Sequence, residues 1–263
     1  MTMPRFAANL TMMFNEWEFL DRFAAAADAG FTAVEFLFPY AFAPDAIAER
    51  LAQHGLTQAL FNCPPGDWDR GERGFAALPE RRAEFEASIE TALVYARATG
   101  VRRLHLMAGI APSQDAAAMT AYESAVLHAC DRLSDAGIDI LLEPINPRDV
   151  PGYFLNNFDV AAALIRRLAR PNLKLQFDIY HRQIIHGDVI RGLEAMLPIT
   201  GHIQVASVPE RHEPCTGELD DAFVFRALDR LGYDGFVGCE YRPKGKTLDG
   251  LRWLRAVAGT EAR

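Results

Sequence analysis

Short apolar runs alternate with longer amphipathic stretches along the whole chain, and this alternation limits the fold more than any other feature. The apolar runs predict eight strands, at 5–10, 33–38, 57–62, 102–107, 139–143, 173–178, 201–206 and 235–240. The stretches between and after them predict helices at 17–29, 44–54, 80–99, 115–136, 157–169, 184–197, 220–231 and 247–258. Regular strand–helix alternation is typical of parallel strands joined by crossover connections.

The number of strand–helix units selects the architecture. Eight units in 263 residues match a (β/α)8 TIM barrel, which typically takes about 250 residues. The alternative is an open, doubly wound sheet, which a glycine-rich phosphate loop after the first strand would favour. That strand is followed by "NLTMMFNEWEF", which contains no glycine. We therefore predict an α/β protein with one TIM barrel domain over residues 1–263.

Composition and charge exclude several classes of function. The formal net charge of −8 argues against a nucleic-acid-binding surface, which usually needs a basic stripe. The four cysteines are far apart in the sequence, so neither a structural zinc site nor a disulfide framework is expected, and a reducing compartment is favoured. The chain has neither a signal-peptide pattern nor an apolar run long enough to span a bilayer. We expect a cytoplasmic protein that binds neither nucleic acid nor membranes.

The last four predicted strands each carry an oxygen-bearing side chain near their C-terminal end. Successive members of this set lie 35, 26 and 36 residues apart, close to the length of one strand–helix unit: Glu143, Asp178, Gln204 and Glu240. Because side chains alternate between the two faces of a strand, these four fall on the more polar or smaller face, which suits a barrel interior. They are therefore expected at the C-terminal rim, where TIM barrels build their active sites.

Three converging carboxylates repel one another, and their pKa values rise unless a cation joins them. A divalent metal ion would remove this conflict, and oxygen ligands favour Mg²⁺ or Mn²⁺ over zinc. Any one of these carboxylates could instead cap a helix or pair with a surface cation. Their matching positions on four successive strands favour a metal site formed by Glu143, Asp178, Gln204 and Glu240.

Several segments resemble the hydroxypyruvate isomerase family, which includes 2-oxotetronate isomerases, of the xylose-isomerase-like TIM barrels. The resemblance lies in "LLEPIN", "LKLQFDIYH", "GHIQVA", "RHEPCTGELD" and "GFVGCEYRP", and it extends to residues 6–40 and 61–82. It implies the same four metal ligands, with Glu143 and Glu240 also acting as the catalytic acid–base pair, and a homo-oligomer. Many relatives in the wider superfamily, including ketose 3-epimerases, carry histidine at the position of Gln204.

The resemblance implies a metal-dependent aldose–ketose isomerase of a small hydroxy-oxo acid. The reaction would convert hydroxypyruvate to tartronate semialdehyde, or 2-oxotetronate to 3-oxotetronate, by proton transfer through a metal-stabilised enediolate. The alternative is a ketose 3-epimerase, which would need neutral polyol contacts and more usually has histidine in place of Gln204. An endonuclease on this barrel would need clustered histidines and a basic face. A non-catalytic sugar-acid-binding protein would not need both glutamates.

Two residues near the predicted rim are candidates for binding the substrate. His181 follows Asp178 by three residues, and the resemblance suggests that it hydrogen-bonds a substrate oxygen or the enediolate. Its alternative is a histidine behind the site or on the surface. Relatives carry an acidic residue at Asp149, where it contacts substrate or orients His181; a role in capping the loop is the alternative.

An anionic substrate also needs a cation near the barrel mouth, and two loops could supply it. The loop 67–74 offers Arg73 together with Trp68 and is long enough to close as a lid. The loop 209–214 offers Arg211. Because a guanidinium can bind a carboxylate through two hydrogen bonds, Arg211 or Arg73 is the candidate for holding the substrate carboxylate; the alternative for each is a solvated surface arginine.

Other polar residues near the strands are expected to be structural or are left open. His105 lies in a predicted strand and is interpreted as structural. Asn9 and Asn62, at the ends of the first and third strands, could hydrogen-bond substrate or stabilise the fold.

Overall fold

The computed structural model describes residues 4–257, and its centre is a closed barrel of eight parallel strands. Each strand pairs with the next along the chain, and the last pairs with the first. The strands are β1 (Arg5–Asn9), β2 (Ala33–Glu35), β3 (Thr57–Asn62), β4 (Arg103–His105), β5 (Asp139–Leu142), β6 (Leu173–Asp178), β7 (Thr200–Val205) and β8 (Phe236–Cys239). The predicted TIM barrel is confirmed, and each observed strand overlaps its predicted range.

Helices connect the strands along the chain. They are α1 (Arg22–Asp28), α2 (Pro44–Gln53), α3 (Arg82–Thr99), α4 (Ala116–Ser134), α5 (Phe158–Leu168), α6 (Ile179–Ile185), α7 (Val189–Met196), α8 (Asp221–Arg230), α9 (Thr247–Gly250) and α10 (Arg252–Val257). Gly100 ends α3 with φ 73°, the left-handed conformation expected of a glycine just past a helix. Among residues 4–257, no helix has the length and apolarity needed to cross a membrane.

Alternate side chains of β6 separate the apolar shell from the barrel interior. Phe177 packs against Phe158 of α5, with ring centroids 5.3 Å apart. Its neighbour Gln176 points the other way and donates a hydrogen bond of 2.6 Å to Gln204 of β7. The apolar face of the strand therefore meets the surrounding helices, and the polar face lines the barrel, as the alternation in the sequence predicts.

The connection between β6 and β7 differs from the prediction of one helix at 184–197. Helix α6 begins directly after Asp178, because that carboxylate accepts a hydrogen bond of 2.7 Å from the backbone N–H of Tyr180 and caps the helix. Gly187, with φ 61°, separates α6 from α7. The predicted helix at 247–258 is also divided, into α9 and α10, and its last residue lies outside the described residues.

A buried carboxylate on β2 hydrogen-bonds across the interior of the barrel. Glu35 is fully buried and accepts hydrogen bonds from Asn9 of β1 and from His202 and Gln204 of β7. Gly238 of β8 leaves the space for this carboxylate, since a Cβ atom at that position would overlap both Glu35 carboxylate oxygens. The interior of the barrel therefore contains a polar network, and its hydrogen bonds connect β2 with β7, which are not neighbouring strands.

We predict that Gly238→Ala lowers the free energy of unfolding by about 1–3 kcal/mol, the usual cost of adding a carbon to a filled interior. The three hydrogen bonds to Glu35 prevent its carboxylate from moving aside. Gly245→Ala is the matched control, because nothing lies within 4 Å of a Cβ atom there. Urea unfolding of both variants measures the effect, and equal stability of the two would contradict this view of the interior.

Candidate active site

The C-terminal ends of three strands bring together the predicted carboxylates. Glu143 directly follows β5, Asp178 ends β6, and Glu240 directly follows β8. One ligand atom from each of these residues and one from His181 of α6 lie within 4.8 Å of one another, and all four side chains are buried. The structure thus brings three predicted metal ligands into one cluster, here called the carboxylate cluster, with His181 as its fourth member.

The carboxylate cluster carries more negative charge than its surroundings neutralise. Burial raises the pKa of Glu143 well above its usual range, and repulsion from Glu240 and Asp178 raises it further. Burial also raises the pKa of Asp178 and of Glu240, which the Arg211 guanidinium only partly offsets. If all three carboxylates are ionised, one guanidinium leaves two negative charges uncompensated.

The donor atoms in the cluster fit a divalent cation. Within the described residues, Glu143 Oε1 and Asp178 Oδ2 are buried and accept no hydrogen bond. Buried carboxylate oxygens without a partner are costly, and a cation is the partner that would satisfy several of them at once. Both the two uncompensated charges and the unpaired oxygens therefore match a divalent metal ion.

The fourth predicted ligand, Gln204, lies beside the cluster. It is buried on β7 and is the register partner of Asp178 on β6. Its Oε1 accepts the hydrogen bond from Gln176, and its Nε2 donates to Glu35 Oε1 at 2.8 Å. Its position agrees with the expected height on the barrel, and its role as a metal ligand stays a prediction.

The ring of His181 has a fixed orientation. Asn146 donates to its Nδ1 from the side-chain Nδ2 at 2.6 Å and from the backbone N–H at 3.3 Å, so Nδ1 is the acceptor. Burial lowers the pKa of His181 well below its usual range, which keeps the ring neutral with its proton on Nε2. This Nε2 lies 3.6 Å from Asp178 Oδ2 and 3.8 Å from Glu143 Oε1. His181 thus presents an N–H donor to the cluster.

Asp149 and Arg211 meet at the edge of the cluster. Arg211 Nη2 lies 2.6 Å from Glu240 Oε2, and its Nη1 lies 3.1 Å from Asp149 Oδ2. The guanidinium also lies over the Tyr180 ring, 4.8 Å from its centroid. Burial lowers the pKa of Arg211, but the surrounding carboxylates raise it by more. Asn146 contacts the His181 ring, and Asp149 contacts Arg211. A part for Asp149 in binding substrate or in orienting His181 stays a prediction.

Arg73 and Trp68, the candidates from the loop 67–74, contact each other. The Arg73 guanidinium stacks on the Trp68 ring at 3.6 Å from its centroid. It donates hydrogen bonds of 2.9 and 2.7 Å to the backbone carbonyls of Trp68 and Glu72. Trp68 also packs against Phe38, which follows β2. A part for Arg73 and Trp68 in binding substrate stays a prediction.

Sequence reasoning missed three residues of the site. His105, expected to be structural, has its Nδ1 3.4 Å from Glu143 Oε2, and burial lowers its pKa to about 3. Glu35 accepts a hydrogen bond from Gln204, and Asn146 holds His181. Signals for two of them exist: His105 lies near the C-terminal end of its predicted strand, and Glu35 interrupts the apolar run "AVEFLF". Asn9, left open, donates to Glu35 at 3.0 Å and is thereby assigned a structural contact.

Comparison with known proteins agrees with this fold and site. The model of the xylose isomerase-like TIM barrel family matches residues 23–257. The 2-oxo-tetronate isomerase of Cupriavidus necator is 52% identical over 259 residues, 98% of this chain and 100% of that protein. The hydroxypyruvate isomerase of Escherichia coli K12 is 40% identical over 255 residues, 96% of this chain and 98% of that protein.

A solved structure, described as an AP endonuclease of family 2 from Brucella melitensis, superposes with a TM-score of 0.94. It is 50% identical and covers 97% of this chain and 99% of its own. The chain therefore belongs to the xylose isomerase-like TIM barrel family. Within that family it groups with the proteins named hydroxypyruvate isomerase and 2-oxo-tetronate isomerase, which are aldose–ketose isomerases, as the sequence motifs predicted.

We predict that Mn²⁺ stabilises the protein through the carboxylate cluster. At a metal concentration of 100 times Kd, the free energy of unfolding should rise by about 2.7 kcal/mol. Asp178→Asn should abolish the rise, since asparagine keeps the helix cap of α6 but removes a charged ligand. Asp139→Asn, at the opposite end of β5 from Glu143, is the control that should respond like wild type. Thermal or urea unfolding with and without Mn²⁺ measures this rise. An equal rise in both variants would mean that the metal binds elsewhere.

Proposed function

We propose that this protein is a metal-dependent aldose–ketose isomerase of a small hydroxy-oxo acid. The observation that carries the proposal is the convergence of Glu143 and Glu240 with Asp178 and His181 within 4.8 Å. Isomerisation moves a proton between neighbouring carbons, so it needs a carboxylate that can take a proton and an acid that can return one. Burial raises the pKa of both glutamates, which brings them closer to the pH at which such an exchange is efficient.

Each residue of the site has a separate task in this proposal. Glu143, Asp178, Gln204 and Glu240 would hold Mg²⁺ or Mn²⁺. When bound, the cation would stabilise negative charge on neighbouring substrate oxygens and acidify the C–H bond between them. His181, with its proton on Nε2, donates a hydrogen bond to a substrate oxygen. Glu143 and Glu240 transfer the proton, one removing it from carbon and the other returning a proton to the adjacent carbon.

Arg211 supports an anionic substrate. Its guanidinium lies at the edge of the cluster, where it contacts Glu240 and Asp149, and a guanidinium can bind a carboxylate through two hydrogen bonds. A neutral ketose would have no use for this cation, and Gln204 stands where many epimerases have histidine. Both features favour the isomerase over a ketose 3-epimerase.

The identities of the relatives narrow the substrate class. The relative from Cupriavidus necator, at 52% identity, is named for a four-carbon acid, and the relative from Escherichia coli, at 40% identity, for a three-carbon acid. We therefore propose 2-oxotetronate, converted to 3-oxotetronate, as the first substrate to test, and hydroxypyruvate as the second.

Nuclease activity is the function suggested by the description of the Brucella melitensis structure. The formal net charge of −8 opposes binding to a phosphate backbone, which depends on clustered lysine and arginine. The carboxylate cluster also holds one histidine, not the several that a nuclease on this barrel would need. We therefore rank the isomerase above a nuclease.

We further propose that the enzyme works in the cytoplasm as a homo-oligomer. The four cysteines are free thiols, which suits a reducing compartment. The homo-oligomer is proposed from the family resemblance.

The test is turnover by protein stripped of metal and then restored with Mn²⁺ or Mg²⁺. Hydroxypyruvate, 2-oxotetronate, a neutral ketose and a duplex with an abasic site are offered separately. We expect metal-dependent turnover of the oxo acids alone. Turnover of the ketose alone would replace this proposal with the epimerase, and cleavage of the duplex with the nuclease.

We predict that Glu143→Gln and Glu240→Gln each lower kcat/KM for the oxo acid by roughly 10²–10⁴-fold, the usual contribution of a general acid or base. Glutamine keeps the volume and the oxygen atom of the side chain but cannot exchange a proton. Asp139→Asn again serves as the control with wild-type activity. Either glutamine variant retaining full activity would remove that glutamate from the proposed acid–base pair.

A further inference from the structure

The amide of Gln204 has two ends of nearly equal size, and only one of them can bind a cation. The carbonyl oxygen Oε1 can act as a metal ligand, whereas the NH₂ group can only donate. A glutamine in a metal site therefore needs a neighbour that decides which end faces the metal. A carboxylate ligand would not have this difficulty, since both of its oxygens can bind a cation.

Glu35 is the neighbour that contacts the NH₂ end of the Gln204 amide. Its Oε1 accepts hydrogen bonds from Gln204 Nε2 at 2.8 Å and from Asn9 Nδ2 at 3.0 Å. Its Oε2 lies 2.7 Å from His202 Nε2. Two amide NH₂ groups thus donate to the same oxygen of a fully buried carboxyl group, and that oxygen is an acceptor. An acceptor at this position requires the NH₂ end of Gln204 to face it.

The opposite end of the amide consequently faces away from Glu35. Gln204 Oε1 accepts a hydrogen bond of 2.6 Å from Gln176 Nε2, which uses one of its two lone pairs. Gln204 is also the register partner of Asp178, a member of the carboxylate cluster. The carbonyl oxygen therefore keeps one lone pair that accepts no hydrogen bond from the described residues.

We infer that Glu35 is a positioning residue that fixes the amide of Gln204, so that the carbonyl oxygen and not the NH₂ group is available to the metal ion. This inference rests on the proposed function, because it takes Gln204 as a metal ligand. Gly238 belongs to the same arrangement, since only a residue without a Cβ atom leaves room for the Glu35 carboxylate. His202 holds the other oxygen of that carboxylate in place.

The isosteric change Glu35→Gln tests the inference. The oxygen of the new amide can accept from His202 Nε2, which turns its NH₂ group toward Gln204 Nε2 and creates a contact between two donors. The other tautomer of His202 gives poor relief, because Nδ1 has no hydrogen-bond partner among the described residues and would become an unpaired N–H. Rotation of the Gln204 amide by 180° turns its NH₂ group away from residue 35 and toward Gln176 Nε2. A matching rotation of the Gln176 amide then removes the conflict, because Gln176 Oε1 has no hydrogen-bond partner among the described residues.

We predict that Glu35→Gln raises the Kd for Mn²⁺ about 10–100-fold, the usual effect of removing a residue that orients a metal ligand. Electron paramagnetic resonance of free Mn²⁺ measures this Kd without relying on activity. The matched control is Asn9→Ala, which removes a different hydrogen bond to the same Glu35 oxygen and leaves the Gln204 amide fixed. Its Kd should equal that of wild type. An increase as large as that in Glu35→Gln would overturn the inference, because it would show that the loss of any hydrogen bond to Glu35 weakens metal binding.

Exchanging the two side chains provides a rescue that a merely structural role would not allow. In the double variant Glu35→Gln/Gln204→Glu, one oxygen of the new carboxylate accepts from the amide at 35, and the other is available to the metal in either orientation. We expect this variant to recover the Kd of wild type. Gln204→Glu alone places two buried carboxylates in contact, so metal-free unfolding should occur at lower urea concentration than in the double variant.

The outcomes separate this inference from the proposed function. A folded wild-type protein that does not bind Mn²⁺ would contradict the proposed function. A wild type that binds Mn²⁺, with a folded Glu35→Gln variant that binds it equally well, would contradict the inference about Glu35 alone. A double variant that binds no better than Glu35→Gln would also contradict it.

Discussion

The structure depends on one electrostatic constraint, the burial of Glu143, Asp178 and Glu240 at the mouth of a barrel. These carboxylates would separate in a flexible chain, but they follow strands that are held parallel by the closed sheet. The barrel therefore supplies the energy that keeps like charges together. Burial raises the pKa of each carboxyl group, and neighbouring carboxylates raise it further. A cation is the natural partner for such a cluster. The neighbouring His105 and His181 stay neutral, because burial lowers the pKa of both.

The barrel holds two groups of buried polar side chains, the carboxylate cluster and the hydrogen-bond network around Glu35. At the rim, Arg211 Nη2 lies 2.6 Å from Glu240 Oε2, and His181 Nε2 lies 3.6 Å from Asp178 Oδ2. In the second group, Glu35 receives three hydrogen bonds and does not belong to the cluster. Burying this second group costs free energy, since every buried polar atom needs a hydrogen-bond partner. Its benefit is a defined orientation for the side chains that contact Glu35, which are Asn9, His202 and Gln204.

The sequence predicts the fold well, because strand–helix alternation and strand parity are local signals that the barrel preserves. The same parity locates Glu143, Asp178 and Glu240, since a strand end in a barrel fixes where its side chain points. Sequence reasoning fails where contacts connect distant elements. It does not show that Asn146 holds His181, nor that Asp178 starts a helix and so shifts the predicted helix at 184–197. Nor can the arginines be ranked from sequence, because their partners lie on other loops.

The most direct test of the account is the fate of hydrogen when an oxo acid is isomerised in D₂O. If Glu143 and Glu240 transfer a proton, deuterium from the solvent should appear on the product carbon that receives it, and nuclear magnetic resonance of the product would show it. The signal should disappear together with turnover in Glu143→Gln and Glu240→Gln. Complete conversion without any deuterium in the product would show that the hydrogen removed is the one returned, and it would contradict the separate roles assigned to the two glutamates.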